Sequence, residues 1–265
     1  MHETSWEKIR AFRDSYLTGT GPGKPPCRVL EVGSMSQFGQ ETFGALFSPP
    51  EFSYIGMDME EGPNVDLAVA DPYCWTELEA ETFDVVISGS SFEHNPYFWI
   101  TMAEIGRVLI PGGLVAIVVP SAGGFHRHPY DCWRFRPDSG PALCEYVGME
   151  LLEYFVEERR PESKVDGFQW HDSFLVGRRP VIEDDAGRKE YDDRLASIVA
   201  TRAALPEVGP RAMPGPAITT YEQRMATRVP VTRWTPMRSA LTLAVYRARG
   251  RLRTLRRHPQ DRPPR

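Results

Sequence analysis

The sequence predicts an α/β fold built on a doubly wound, mostly parallel sheet, and three observations predict it. Strand-forming residues from Arg28 to Val32 end at Gly33, a short polar turn runs to Gly39, and a helical pattern begins at Gln40. Two short runs, 83–88, apolar at Phe83 and Val85–Ile87, and 114–119, apolar throughout, are short enough to be central strands covered on both faces. Helical spacing fills the interval between them, with Trp99, Met102, Ile105 and Val108 three residues apart.

The remaining elements follow in order. Trp6, Ile9, Phe12 and Tyr16 give residues 5–17 one apolar face, so an amphipathic helix precedes the first strand. Residues 18–26 are a loop of turn formers. A helix over 40–47 stops at Ser48-Pro49-Pro50. The second strand, 53–57, delivers Asp58, and the third, 66–70, delivers Asp71. The fourth, 83–88, exits through Gly89-Ser90-Ser91-Phe92-Glu93-His94, and Pro111-Gly112-Gly113 turns the chain into the fifth, which ends at Pro120. A helix over 137–146, a sixth strand over 149–157 and a last strand within 166–178 complete the domain near residue 180.

Beyond that point the composition changes, and the chain divides into a domain over 1–180 and an extension over 181–265. The extension opens with a helical pattern containing Tyr191, Leu195 and Ile198, and a Pro- and Gly-rich linker covers 206–216. Met237, Leu241, Val245, Ala248 and Leu252 then share one helical face with arginines opposite. From Arg224 to Arg265 there are twelve Arg, no Lys and one acid, a net +11 that leaves −16 on the other 223 residues. A basic amphipathic helix over 237–257 can dock on the acidic body or lie peripherally on an anionic membrane surface. Its few aromatics do not favour nucleic acid. No apolar run reaches membrane-spanning length and the N-terminus does not read as a secretion signal, so the expected location is cytoplasmic, with peripheral contact at the inner membrane surface as the variant. Cys27, Cys74, Cys132 and Cys144 lack metal-binding spacing and read as free thiols.

A ligand is expected at the 33–39 loop, because open α/β sheets bind beyond the carboxyl ends of their strands and Gly33 has no Cβ to hold a ligand off. A phosphate loop would need a Gly-Lys-Ser/Thr ending, and a dinucleotide fingerprint would need glycine where Met35 stands. Glu31 at the strand end repels a pyrophosphate and suits a cationic or hydroxyl-rich ligand.

Glu31-Val32-Gly33, Tyr54-Ile55-Gly56-Met57-Asp58, Phe83-Asp84-Val85-Val86-Ile87-Ser88, Glu93-His94 and Arg107-Val108-Leu109-Ile110-Pro111-Gly112-Gly113, in that order, resemble a class I S-adenosylmethionine-dependent methyltransferase over roughly 25–180. The chain departs from the family's G-x-G-x-G at Gly33-Ser34-Met35-Ser36-Gln37. The resemblance implies a Rossmann-like sheet of seven strands with a hairpin at one edge, and S-adenosylmethionine as cofactor. It places Glu31, Gly33 and Ser34 against that molecule, Asp58 on its ribose, Asp71 toward its adenine, and Ser88, Glu93 and His94 along its methionine part.

The run Gly123-Gly124-Phe125-His126-Arg127-His128-Pro129-Tyr130-Asp131-Cys132-Trp133-Arg134-Phe135 leaves the fifth strand where an acceptor should sit. It is similar to a run in bacterial methyltransferases that modify sugars and natural products, which implies a hydroxyl on a small polar acceptor. His126, His128 and Asp131 are the catalytic candidates. A histidine held by Asp131 can act as general base, the three can bind a divalent metal, or Asp131 can simply pair with Arg134 or Arg136. The metal is not the favoured of these. Against the enzyme stands a non-catalytic nucleoside-binding or scaffold protein that acts through its basic tail.

Overall fold

The structure is a computed structural model, and it describes residues 3–19, 23–36, 39, 42–127, 129–157 and 170–206. Two compact units, Met1–Pro210 and Arg211–Arg265, divide the chain. The second lies outside the described residues, as do the expected linker and basic helix.

Seven strands form the sheet: β1 (Cys27–Val32), β2 (Phe52–Asp58), β3 (Leu67–Ala68), β4 (Phe83–Gly89), β5 (Leu109–Pro120), β6 (Glu150–Val156) and β7 (Asp172–Arg178). Their order is β3-β2-β1-β4-β5-β7-β6. The first five run parallel, and β7 is antiparallel to both β5 and β6, which makes the edge hairpin. The chain order reverses between β1 and β4, so their carboxyl ends open the crevice in which such sheets bind ligands.

Alternation of side chains splits the central strands between two cores. Val29, Val85, Ile87, Ala116, Val118, Phe174 and Val176 face one way, toward Ile9 and Phe12 of α1 (Glu3–Tyr16). Leu30, Val86, Val115, Ile117, Val119 and Leu175 face the other. There they meet apolar side chains of α2 (Phe98–Val108), α3 (Ser139–Val147) and α4 (Asp185–Ala200). With Ile9 and Phe12 essentially buried, each adds about 1.5–3 kcal/mol to the hold of α1 on the sheet. Lys8 fixes the same helix by bonding Glu157 at 2.6 Å and Asp172 at 3.4 Å, while the Thr4 hydroxyl donates to Asp172.

Tyr191, Leu195 and Ile198 of α4 are buried in the second core, so packing carries the compact unit past residue 180 to Pro210. The composition shift marks a change of surface and does not end the core. Buried Arg179 reinforces the join, donating to Glu81 and Asp192 and to the Leu109 carbonyl.

Between β1 and β2 the described residues hold one 3₁₀ turn, Phe43–Leu46, where the sequence predicts a helix over 40–47. Gly44 lies under the Tyr54 ring, which a Cβ would meet at 3.1 Å. Pro49 and Pro50 follow within a few residues, leaving room for little more than one turn. The third strand is also shorter than expected. β5, in contrast, begins before the glycine pair and runs straight through it.

Candidate active site

The carboxyl ends of β1, β2 and β4 meet at Gly33, whose φ of +80° is left-handed and whose absent Cβ would lie 2.4 Å from Ser91 Oγ. The Gly33 and Ser34 amides both donate to the Met57 carbonyl, at 2.9 and 3.1 Å. The Met35 amide donates to Asp58 Oδ2 at 3.0 Å, and Asp58 Oδ1 accepts from Met59 at 2.7 Å. Asp58 is thus held by the loop that follows the neighbouring strand. Burial raises its pKa, and the two amides work against the shift. With one protein donor per oxygen, the carboxylate keeps lone pairs for hydroxyl donors.

Other residues expected at the ligand also hydrogen-bond within the protein. The buried Ser34 hydroxyl donates to the Asn64 carbonyl at 2.9 Å, and Ser88 to the Val32 carbonyl at 2.8 Å. Asp71 accepts from the Tyr73 amide at 2.8 Å and from Arg202 Nε at 3.0 Å. Glu31, 2% exposed, accepts a 2.5 Å bond from the Tyr54 hydroxyl. Burial pushes the Glu31 carboxyl up to about 7, against the pull of Tyr54. The sequence does not single out Tyr54, Ser91 or Arg202 for these parts. Each lies on a different element from its partner, and no local pattern joins them.

On the other side of the crevice, the loop after β5 folds back over the exit of β4. The Glu93 carbonyl accepts from the Cys132 and Trp133 amides, and Phe135 donates to the Pro120 carbonyl. Asp131 accepts two bonds from Arg134 and one, at 2.8 Å, from the His126 amide. Burial pushes its carboxyl up, but these donors outweigh that and hold it below the usual range. Asp131 therefore fixes the His126 backbone, and its Oδ2 stands 3.7 Å from the imidazole Nδ1. His128 lies outside the described residues. Trp133 and Phe135 pack on Phe98, with ring centroids 5.5 and 5.0 Å away.

This loop and the β4 exit bring together Glu93, His94 and His126, each with one ligand-type side-chain atom within 4.8 Å of those of the other two. The His126 ring sits 4.8 Å from that of His94 and 4.5 Å from that of Trp170. Gly123 makes room for Trp170, whose ring a Cβ would penetrate at 1.9 Å. Glu93 is 1% exposed, its Oε2 has no hydrogen-bond partner, and burial pushes its carboxyl up to about 8.

Residues 19–117 match the family model for a methyltransferase domain. That match accords with the class I S-adenosylmethionine-dependent methyltransferase domain that the sequence resembles. Its seven strands and edge hairpin are those the resemblance implies. The chain is similar in structure to the Burkholderia thailandensis 1,6-didemethyltoxoflavin-N1-methyltransferase, a structure with bound 1,6-didemethyltoxoflavin and S-adenosylhomocysteine. Identity is 19%, coverage 68% of this chain and 80% of that one, and the TM-score 0.49. A SAM-dependent methyltransferase from Archaeoglobus fulgidus is similar at 17% identity, with 66% and 94% covered and a TM-score of 0.49. No curated protein matches the chain.

S-adenosylmethionine is the cofactor that the resemblance implies. The residues fit it, for Gly33 leaves the loop backbone bare and Asp58 presents a carboxylate able to accept from hydroxyls. Among the described residues no helix is long and apolar enough to cross a membrane, and all four cysteines are free thiols.

Proposed function

We propose that the protein methylates a hydroxyl group on a small polar molecule such as a sugar or a natural product. The observation that carries this reading is the cluster of Glu93, His94 and His126 at the exits of β4 and β5. Bound S-adenosylmethionine supplies a methyl group on a sulfonium sulfur, open to a lone pair aligned behind it. A hydroxyl acceptor then needs its oxygen positioned and its proton removed. The cluster offers groups for both, since imidazole titrates near neutrality and serves hydroxyl deprotonation well.

In this reading Gly33 and Asp58 contact the cofactor, Asp58 accepting from its ribose hydroxyls. Glu31, Ser34 and Ser88 shape the floor behind them, and Asp71 stands toward the adenine with Arg202 at its side. His126 meets the acceptor hydroxyl. Asp131 is a positioning residue, holding the His126 amide while Arg134 neutralises its charge. His128, in the same loop, is the third candidate that the sequence names. Most of the acceleration comes from holding the two reactants in line and in contact.

Calorimetric titration with S-adenosylmethionine, paired with release of S-adenosylhomocysteine over a panel of sugars and phenolic or alcoholic natural products, tests the proposal. His126→Ala is expected to cut turnover about a hundredfold or more while the cofactor affinity stays near wild type. Turnover at the wild-type rate in that variant would remove His126 from the chemistry.

A further inference from the structure

We infer that Tyr54 is a positioning residue for cofactor binding, its hydroxyl holding the Glu31 carboxylate in the crevice floor as a counter-charge to the positive groups of S-adenosylmethionine. The resemblance places Glu31 against that molecule and assigns nothing to Tyr54. The inference rests on S-adenosylmethionine as the ligand and is independent of the acceptor.

Glu31 and Tyr54 stand on neighbouring strands. In the β1–β2 register Glu31 pairs with Gly56, and Tyr54, two residues earlier on the same face of β2, reaches it diagonally. The phenol donates to Glu31 Oε2 at 2.5 Å, a length usual for a hydroxyl bonded to an ionised acceptor. The phenol is itself fixed. Its ring lies parallel to that of Phe47, centroids 6.5 Å apart, and against Gly44, where a Cβ would come within 3.1 Å. The Thr42 side chain hydrogen-bonds its hydroxyl. Thr42 and Phe47 flank the 3₁₀ turn Phe43–Leu46, and Gly44 lies within it. The turn found inside the expected helix is therefore the seat of this phenol.

Charge gives the bond its use. Glu31 is almost wholly buried, and burial favours its neutral form, as does the nearby charge of Asp58. A hydrogen bond donated to the anion works against both, and Tyr54 supplies it. Burial and the Glu31 charge in turn keep the phenol protonated, so it stays a donor. S-adenosylmethionine carries a positive ammonium and a positive sulfonium. An ionised carboxylate in a floor with little water attracts such groups far more strongly than a neutral carboxyl does. Removing the hydroxyl leaves Glu31 in place but takes away the donor that keeps it ionised and oriented.

The test is calorimetric titration of the full chain with S-adenosylmethionine and with 5′-methylthioadenosine, which keeps the nucleoside and a neutral sulfur but has neither positive group. Tyr54→Phe removes the hydroxyl and retains the ring. It is expected to weaken S-adenosylmethionine about tenfold and to leave 5′-methylthioadenosine within about twofold. In a Glu31→Gln background the same change should move neither affinity, because the charge it serves is gone. Circular dichroism verifies each fold. Should that of Tyr54→Phe be lost, Gly44→Ala carries the same expectation, since its Cβ crowds the phenol ring. Equal weakening of the two ligands would make Tyr54 a structural residue, and an unchanged S-adenosylmethionine affinity would detach it from the cofactor. Either result overturns the inference and leaves the cofactor in place. Absence of S-adenosylmethionine binding by the wild type overturns the cofactor and this inference together.

Discussion

The two sides of the crevice treat their polar groups in opposite ways. On the β1–β2 side, Asp58, Ser34 and the Gly33–Met35 amides all have partners within the protein, at 2.7–3.1 Å. On the β4–β5 side, Glu93 holds a buried oxygen with none. The first arrangement is rigid by construction, for each bond joins one strand end to the next and their cost is met during folding. The second leaves a buried carboxyl oxygen without a hydrogen-bond partner, an arrangement that is rare in protein interiors and more frequent at functional sites.

The largest blow to the preformed side should come from Gly33→Ala. The new Cβ meets Ser91 Oγ at 2.4 Å and forces an L residue to hold φ +80°. A loss of about 2–4 kcal/mol is expected in denaturant unfolding, with cofactor binding lost as well. Gly33→Ala combined with Ser91→Gly should recover only the steric part, which divides crowding from backbone strain.

Asp58→Ala comes next. It removes a charged acceptor for the ribose and also frees the Met35 and Met59 amides. Cofactor affinity should fall about a hundredfold by calorimetry, while the fold survives. An unchanged affinity would mean that the carboxylate only ties the loop.

Glu31 sharpens the comparison through pH. Its carboxyl, pushed up to about 7 in the folded protein, keeps its proton where the unfolded chain releases it near the ordinary value of 4.5. The stability it contributes is therefore full below about 4.5 and is lost as pH rises through about 7, an effect on the order of 3 kcal/mol. Melting temperatures from pH 5 to 8 should fall less steeply in Glu31→Gln than in the wild type. Parallel curves would show that the shift is absent.

The smallest effect concerns Asp71 and Arg202, a half-exposed pair 3.0 Å apart. Arg202→Ala should cost less than about 1 kcal/mol. If Asp71 reaches the cofactor, Asp71→Asn weakens binding where Arg202→Ala does not. Equal effects would make the pair structural.

Legibility followed the range of the interactions. Strands β1, β2, β4 and β5 could be read because two-sided burial leaves short apolar runs in the sequence, and α4 because Tyr191, Leu195 and Ile198 repeat at helical spacing. Within the expected helix over 40–47 the described residues hold a 3₁₀ turn over Phe43–Leu46, and the close approach of Tyr54 to Gly44 there is invisible locally. The reading of Asp131 as an arginine partner held, and the sequence could not distinguish it from a catalytic role. Both use the same residues three apart.

By itself, the sequence determined the α/β class, the order of its motifs and the glycine that the crevice needs, because periodicity, turn chemistry and chain order are local properties. Only the tertiary structure decided which polar groups meet one another within the protein. Ser34 turned to Asn64, Asp71 to Arg202 and Asp131 to Arg134, while Glu93 was left against His94 and His126. Those pairings depend on distances between elements far apart in the chain, and they are fixed only when the sheet brings its strand ends together.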